Sequence, residues 1–326
     1  MLSVVTPARK RARWRPIRWW LRARYAPQII AETGDCEYGF LMERAITEVS
    51  VLTAVGGSVE SRQDQLAVEE PLEIRLAFGP ARQRGERSIS ITMRTPGHDA
   101  ELAAGFLFGE GIVSGNRDIE AIRHCGSETG AAGSFNVIRV ELRPDLAVDL
   151  ARLERHFYTT SSCGVCGKSS LDALEVTAAP LASPDQFRVA AATIHGLPKK
   201  LRETQAVFDR TGGLHAAALF DAEGRLIELR EDVGRHNAVD KLIGSQLLAG
   251  RVPLSDRGMI VSGRASFELV QKAVVAGIPL LAAVGAPSSL AVELAQRFGA
   301  TLLGFVRDSR FNIYCGAERV VMNEAS

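Results

Sequence analysis

The chain of 326 residues carries 39 basic and 38 acidic side chains, 46% hydrophobic residues and five cysteines. Its length allows one large domain or two smaller ones, and its composition excludes a mainly disordered, collagenous or coiled-coil protein. No run approaches the ~20 apolar residues of a membrane-spanning helix, and five scattered cysteines are not a disulfide framework, so a reducing, cytoplasmic setting without membrane association is expected.

Residues 9–24 hold eight Arg or Lys together with Trp14, Trp19 and Trp20, and no acid precedes Glu32. Without those eight, 31 basic residues face 38 acidic ones, a body of net −7. Such a body is a poor partner for nucleic acid, whose affinity rests mainly on Lys and Arg. The arm reads as a membrane-surface or nucleic-acid anchor or, more plainly, as a disordered extension or an early start with Met42 as a later candidate. Arg18, Arg22 and Arg24 leave no apolar run long enough for a secretory signal. The plainer reading is preferred: residues 1–48 as extension, 49–152 as a small N-terminal α+β domain and 153–326 as an α/β domain.

From about Val51 to Val140, alternation in Pro71–Leu76 and Ser88–Met93 predicts two half-buried strands joined through Gly79-Pro80 and Gly85. Asp99 is expected to cap a helix through Glu101–Leu107, and a polar segment around Ser127–Gly133 precedes a strand from Phe135 to Leu142. Further on, Leu214–Phe220 and Leu226–Leu229 read as strands around an Asp-Ala-Glu-Gly turn, and Asn237–Leu248 as a helix. Met259–Val261, Leu280–Val284 and Leu302–Val306 read as buried strands, with helices at Phe267–Ala276 and Leu290–Phe298 between them. That order predicts a parallel segment of sheet covered on both faces.

The densest chemical signal is Thr159-Thr160-Ser161-Ser162-Cys163-Gly164-Val165-Cys166-Gly167-Lys168-Ser169-Ser170. A helix start and the Lys168 cation would lower a thiol pKa from ~8.5 toward neutrality. Zinc needs further ligands, and the deaminase pattern needs an upstream His-x-Glu that none of the six histidines supplies. Ser162–Ser169 fits a P-loop except for its first glycine. Thiol-disulfide exchange, sulfur relay and a pair of buried structural thiols stay open.

In open α/β sheets, ligands bind beyond the carboxyl ends of the strands. Those ends read Ser262-Gly263-Arg264-Ala265-Ser266, Gly285-Ala286-Pro287-Ser288-Ser289 and Arg307-Asp308-Ser309-Arg310. Helix starts and three arginines suit the phosphate oxygens of a nucleotide or pyrophosphate-bearing ligand; any one of these loops could merely cap a helix with its Ser, Gly and Pro, but three on one edge favour the ligand. No Gly-x-Gly-x-x-Gly points to NAD or FAD. His215 and His236 are read as structural or as proton-handling, with Asp232 and Asn237 as helix caps.

Together these motifs resemble the formate dehydrogenase accessory sulfurtransferases, the FdhD/NarQ family. The residues carrying the resemblance are Glu69–Leu72, Thr95-Pro96-Gly97, Gly105–Leu107, Glu110–Ile112, Ser162–Gly167, Thr211–His215, Glu231–Asn237, Ser262–Lys272 and Gly304–Tyr314. The resemblance implies a cytidine-deaminase-like three-layer C-terminal domain and a homodimer. It implies transfer of persulfide sulfur from a cysteine desulfurase to the molybdenum cofactor, Mo-bis(molybdopterin guanine dinucleotide), before formate dehydrogenase receives it. Cys163 would carry the persulfide and Cys166 would assist or resolve it. Phe305, Val306, Arg307, Asp308, Ser309 and Arg310, with Ser262 and Arg264, would contact the cofactor, which a guanine nucleotide would mimic; no catalytic zinc is expected. Gly263 stands where the family pattern leads one to expect Ser. The rival readings are a thiol-disulfide oxidoreductase and a non-catalytic cofactor carrier or chaperone.

Overall fold

The structure is a computed structural model that describes residues 44–125, 135–148, 181 and 183–322. The basic arm, the polar segment before residue 135 and the Cys163/Cys166 pair lie outside the described residues.

Strands β1 (Ile46–Val55) and β2 (Ser58–Ala67) pair as an antiparallel hairpin that the sequence reading did not anticipate. Next come β3 (Glu70–Phe78), β4 (Gly85–Arg94), helix α1 (Asp99–Gly109), β5 (Ile119–His124) and β6 (Val137–Leu142). These four strands form a sheet ordered β4-β3-β6-β5, with β3 and β6 parallel. The expected strand from Phe135 begins two residues later, at Val137. Asp99 is not the cap of α1. His98 holds that position in a left-handed conformation, and Asp99 turns inward to accept from Arg94.

The second half runs β7 (Val189–Ala190), α2 (Ala191–Thr204), α3 (Ala206–Thr211), β8 (His215–Phe220) and β9 (Leu226–Asp232). It continues with α4 (Arg235–Leu248), β10 (Gly258–Val261), α5 (Phe267–Val275), β11 (Leu280–Ala283) and α6 (Ser289–Arg297). Strands β12 (Thr301–Gly304), β13 (Asn312–Cys315) and β14 (Val320–Val321) close the described chain. The main sheet is ordered β9-β8-β10-β11-β12-β13, parallel from β10 to β12 and antiparallel at both flanks.

Three layers follow from the side-chain alternation of the strands. Ala216, Ala218, Phe220, Ile260, Ala282 and Leu303 face α2, where Ile194, Leu197 and Leu201 line one helical stripe. Ala217, Leu219, Met259, Val261, Leu281 and Leu302 face the other way, onto α4, α5 and α6. That second core also takes in Leu72, Ile74, Leu76 and Ile138 of the four-stranded sheet, through α1.

Two glycines make this join possible. A Cβ on Gly105 would stand 1.9 Å from the Asp240 carbonyl oxygen, and one on Gly244 would stand 1.9 Å from that of Glu101. Helices α1 and α4 therefore meet backbone to backbone. No described helix is long and apolar enough to cross a membrane.

Candidate functional site

The carboxyl ends of β10, β11 and β12 continue past the sheet as loops bonded to one another. Gly285 N–H donates to Gly263 O at 2.8 Å, Ala265 N–H to Ala286 O at 3.1 Å and Ser288 N–H to Ala265 O at 3.0 Å. Phe305 N–H donates to Gly285 O at 3.0 Å and Val306 N–H to Ala283 O at 3.1 Å. The three segments singled out from sequence thus form one stitched edge. Ser262 belongs to its frame, because its Oγ accepts from Ala216 N–H at 2.9 Å.

The three arginines of this edge play different parts. Arg307 Nη1 donates to the carbonyls of Val284 at 2.7 Å and Val306 at 2.9 Å, which fixes the turn between β12 and β13. Arg264 and Arg310 are exposed and form no ion pair among the described residues. Their forked donors are available to an anion. Helices α5 and α6 start at this edge behind Ser266 and Ser288, and only Ser288 caps its own helix, accepting from Ala291 N–H at 3.3 Å.

His195, absent from the sequence reading, braces the turn from α2. Its Nδ1 lies 3.1 Å from Arg307 O and its ring packs on Phe311. Its one sequence signal was the Ile194, Leu197, Leu201 stripe, which places a helix beside the sheet.

His215 and His236 flank the β10 end. A Cβ on Gly263 would stand 3.4 Å from His215 Nδ1, so this backbone lies directly against the imidazole. His236 Nε2 lies 3.4 Å from Ser266 Oγ and 3.8 Å from Glu268. Burial, with Arg235 and Lys272 nearby, lowers the His236 pKa to about 4. Burial and Arg235 lower that of His215 as well. Both rings are therefore neutral at pH 7, and Arg235 Nε beside them is buried with no hydrogen-bond partner among the described residues.

Asp232 and Asn237 are not the caps expected of α4, whose N-cap is Gly234 with no side-chain bond; they are drawn into a buried network instead. Asp232 accepts from Lys241 at 2.7 Å, Thr95 N–H at 3.1 Å, Gly234 N–H at 2.8 Å and Asn237 Nδ2 at 2.9 Å. Asn237 Nδ2 also donates to Met93 O at 2.7 Å. Residues 93–95 are thereby tied to the start of α4, next to the two histidines.

Of the two described cysteines, both free, Cys315 donates to Ala300 O at 3.3 Å and burial raises its pKa. It is held as a thiol, a poor nucleophile at neutral pH.

Comparison with known proteins extends the match beyond these segments. The profile of the FdhD/NarQ family matches residues 67–321. A protein of Streptomyces coelicolor named sulfur carrier protein FdhD is 52% identical over 286 residues, covering 87% of this chain and 99% of its own. Another so named, from Mycolicibacterium paratuberculosis, is 52% identical over 273 residues, covering 83% of this chain and 97% of its own. The crystal structure of a proposed formate dehydrogenase accessory protein from Desulfotalea psychrophila superposes with a TM-score of 0.66 at 27% identity, covering 85% of this chain and all of that one. The chain belongs to the FdhD/NarQ family.

Proposed function

We propose that this protein is a sulfur carrier in formate dehydrogenase maturation, acting in the cytoplasm as a homodimer. It takes sulfur from a cysteine desulfurase and gives it to the molybdenum cofactor, its cargo, before formate dehydrogenase receives that cofactor. The observation that carries this reading is the stitched edge of three strand-end loops with Arg264 and Arg310 free to meet an anion. It suits the pyrophosphates of Mo-bis(molybdopterin guanine dinucleotide), and it occurs in a chain whose relatives are named sulfur carriers.

The Cys163 thiolate attacks the terminal sulfur of the desulfurase persulfide. The donor's S–S bond breaks, the donor leaves as a thiolate and Cys163 holds the new persulfide. For delivery, the Cys166 thiolate attacks Cys163 Sγ; a Cys163–Cys166 disulfide forms and the terminal sulfur leaves with the electron pair as sulfide. A cellular thiol reductant then restores both cysteines. Arg264 and the exposed residues Phe305, Arg307, Asp308, Ser309 and Arg310 meet the cargo, on a frame that Ser262 and the buried Val306 help to set. The thiol character of Cys315 supports assigning the sulfur to Cys163.

Two measurements test this reading against its rivals. After incubation with desulfurase and cysteine, cyanide should release thiocyanate from the protein, whereas a thiol-disulfide oxidoreductase would release none. In cells lacking the wild-type chain, a Cys163→Ala/Cys166→Ala double variant should leave formate dehydrogenase inactive. Full activation by that variant would make the protein a carrier or chaperone with incidental thiols.

A further inference from the structure

Three side chains at the carboxyl end of β10 carry polar atoms that the fold does not use. His215 opens β8 beside Gly263, and Arg235 and His236 open α4. Neither ring nitrogen of His215 has a hydrogen-bond partner among the described residues. His236 has Ser266 Oγ at 3.4 Å, near the limit for a bond, and Glu268 at 3.8 Å. Arg235 Nε is buried without a partner, and its guanidinium forms no ion pair among the described residues. Buried polar groups in native proteins are paired, and an orphan calls for an explanation such as a bound ion.

The cluster is held from behind. Asp232 accepts from Gly234 N–H at 2.8 Å and Asn237 Nδ2 at 2.9 Å, which fixes the start of α4, and the Gly263 backbone lies against the His215 ring. Its net charge is small. Burial and Arg235 keep both rings neutral at pH 7. Of the cations acting on the two rings, Lys272 is paired with Asp240 at 2.7 Å, and Arg235 alone lacks an ion-pair partner among the described residues. The Glu268 carboxylate stands near it. One guanidinium flanked by neutral N–H donors suits a small monoanion. A pyrophosphate, with two or more negative charges, needs more cations than this cluster offers.

We propose that Arg235, His215 and His236 form a binding site for hydrosulfide, the monoanion set free when the persulfide is resolved. This rests on reading the chain as a sulfur carrier, and it names the form in which the sulfur is held between its two covalent states. In the resolving step the Cys166 thiolate attacks Cys163 Sγ, and the bond from Sγ to the terminal sulfur breaks. The terminal sulfur leaves with the bonding pair and its own proton as hydrosulfide. The two cysteines are oxidised to their disulfide, and the transferred sulfur is reduced to the sulfide level. A guanidinium is weakly hydrated and pairs readily with a soft anion. Neutral imidazole N–H groups donate to that anion without adding charge. Hydrosulfide bound here is kept from diffusing away, at the strand end next to the loops that meet the cargo.

The test is titration of the full chain with sodium hydrosulfide, followed in histidine ring-proton spectra at about pH 8, where both rings are neutral. Sodium chloride and sodium pyrophosphate at matched ionic strength run in parallel, and chains with His215→Gln or His236→Gln assign the two signals. Both signals should shift saturably with hydrosulfide while those of the other histidines stay in place. Arg235→Gln should weaken the binding about 10- to 150-fold. No saturable shift in the wild-type chain, an equal response to chloride, or an unchanged affinity in a folded Arg235→Gln chain overturns the proposal. So does a shift of both signals by pyrophosphate that Arg235→Gln abolishes, which would assign the cluster to the phosphates of the cargo. The wild-type titration decides the matter even where a variant fails to fold. A persulfide on Cys163 together with no hydrosulfide response overturns this site alone. Absence of that persulfide overturns the sulfur-carrier reading and this proposal with it.

Discussion

Lys241 Nζ lies 2.7 Å from Asp232 Oδ2, with the two side chains 2% and 0% exposed. Lys241 also donates to Thr95 O at 2.8 Å, so one ammonium holds both the end of β9 and the loop entering α1. A buried charge left without its partner is costly, typically about 3–5 kcal/mol. Lys241→Met should therefore lower the unfolding free energy by about that amount in urea titration. A loss below ~1 kcal/mol would mean that Asp232 finds another cation.

Acid should weaken the fold through α1. Burial alone would raise the Asp99 carboxyl, but His124 and the two-pronged Arg94 contact outweigh it and bring its pKa to about 2. Glu101 is likewise held at about 2, burial being outweighed by Arg230 and His98. Both folded values lie below the unfolded ones. The stability they confer is present above pH ~4 and is lost as pH falls toward about 2, roughly 2 kcal/mol each. Asp99→Asn should flatten the pH dependence in that window while costing about 3 kcal/mol at pH 7, because the buried Arg94 loses its two-pronged carboxylate and keeps only the longer pair with Glu70 at 3.5 Å.

The helix join gives a contrast between glycines. Gly105→Ala forces a methyl into the Asp240 carbonyl and should cost about 3 kcal/mol. Gly196 of α2 has nothing within 4 Å of its Cβ position. Gly196→Ala should stabilise by about 0.5–1 kcal/mol, because alanine loses less backbone freedom in a helix. Urea midpoints of the two variants should move in opposite directions.

His236 should titrate far below an ordinary histidine, near its folded value of about 4. Arg235, Lys272 and His215 oppose its protonation, Glu268 favours it, and burial dominates. A base with a depressed folded pKa loses stability as pH falls from its unfolded value of ~6.5 toward 4. His236→Gln should thus gain about 1 kcal/mol relative to wild type at pH 5 compared with pH 8, allowing for solvent screening of the partly exposed ring. Ring-proton chemical shifts followed against pH would check the assignment, and a midpoint near 6.5 would contradict it.

The parallel strands were legible because every position of β10, β11 and β12 is buried, which leaves an uninterrupted apolar run. The run read as Leu302–Val306 overshot β12 by two residues, since Phe305 and Val306 belong to the stitched loop and not to a ladder. The β1–β2 hairpin went unread because it is largely exposed, and a strand such as Ser58–Ala67 buries no face that could impose alternation. Helix α2 carries Pro198 in its interior, a helix-breaking signal that tertiary packing of Leu197 and Leu201 overrides.

At the strand ends, residue types singled out loops that the structure joins by backbone hydrogen bonds, while side-chain pairing was invisible. Nothing in spacing separates Arg307, which grips carbonyls, from Arg310, which faces solvent. Asp232 reads as a cap until its buried lysine partner, nine residues on, is in place.

The proposed function stands on Cys163 as the carrier of transferable sulfur. Its most direct test is mass spectrometry of the Cys163 peptide after incubation of the full chain with cysteine desulfurase and cysteine. Cys163 should carry one added sulfur atom, removed by cyanide. An unmodified Cys163 peptide beside an active desulfurase, or sulfur found instead on Cys125 or Cys315, would contradict it.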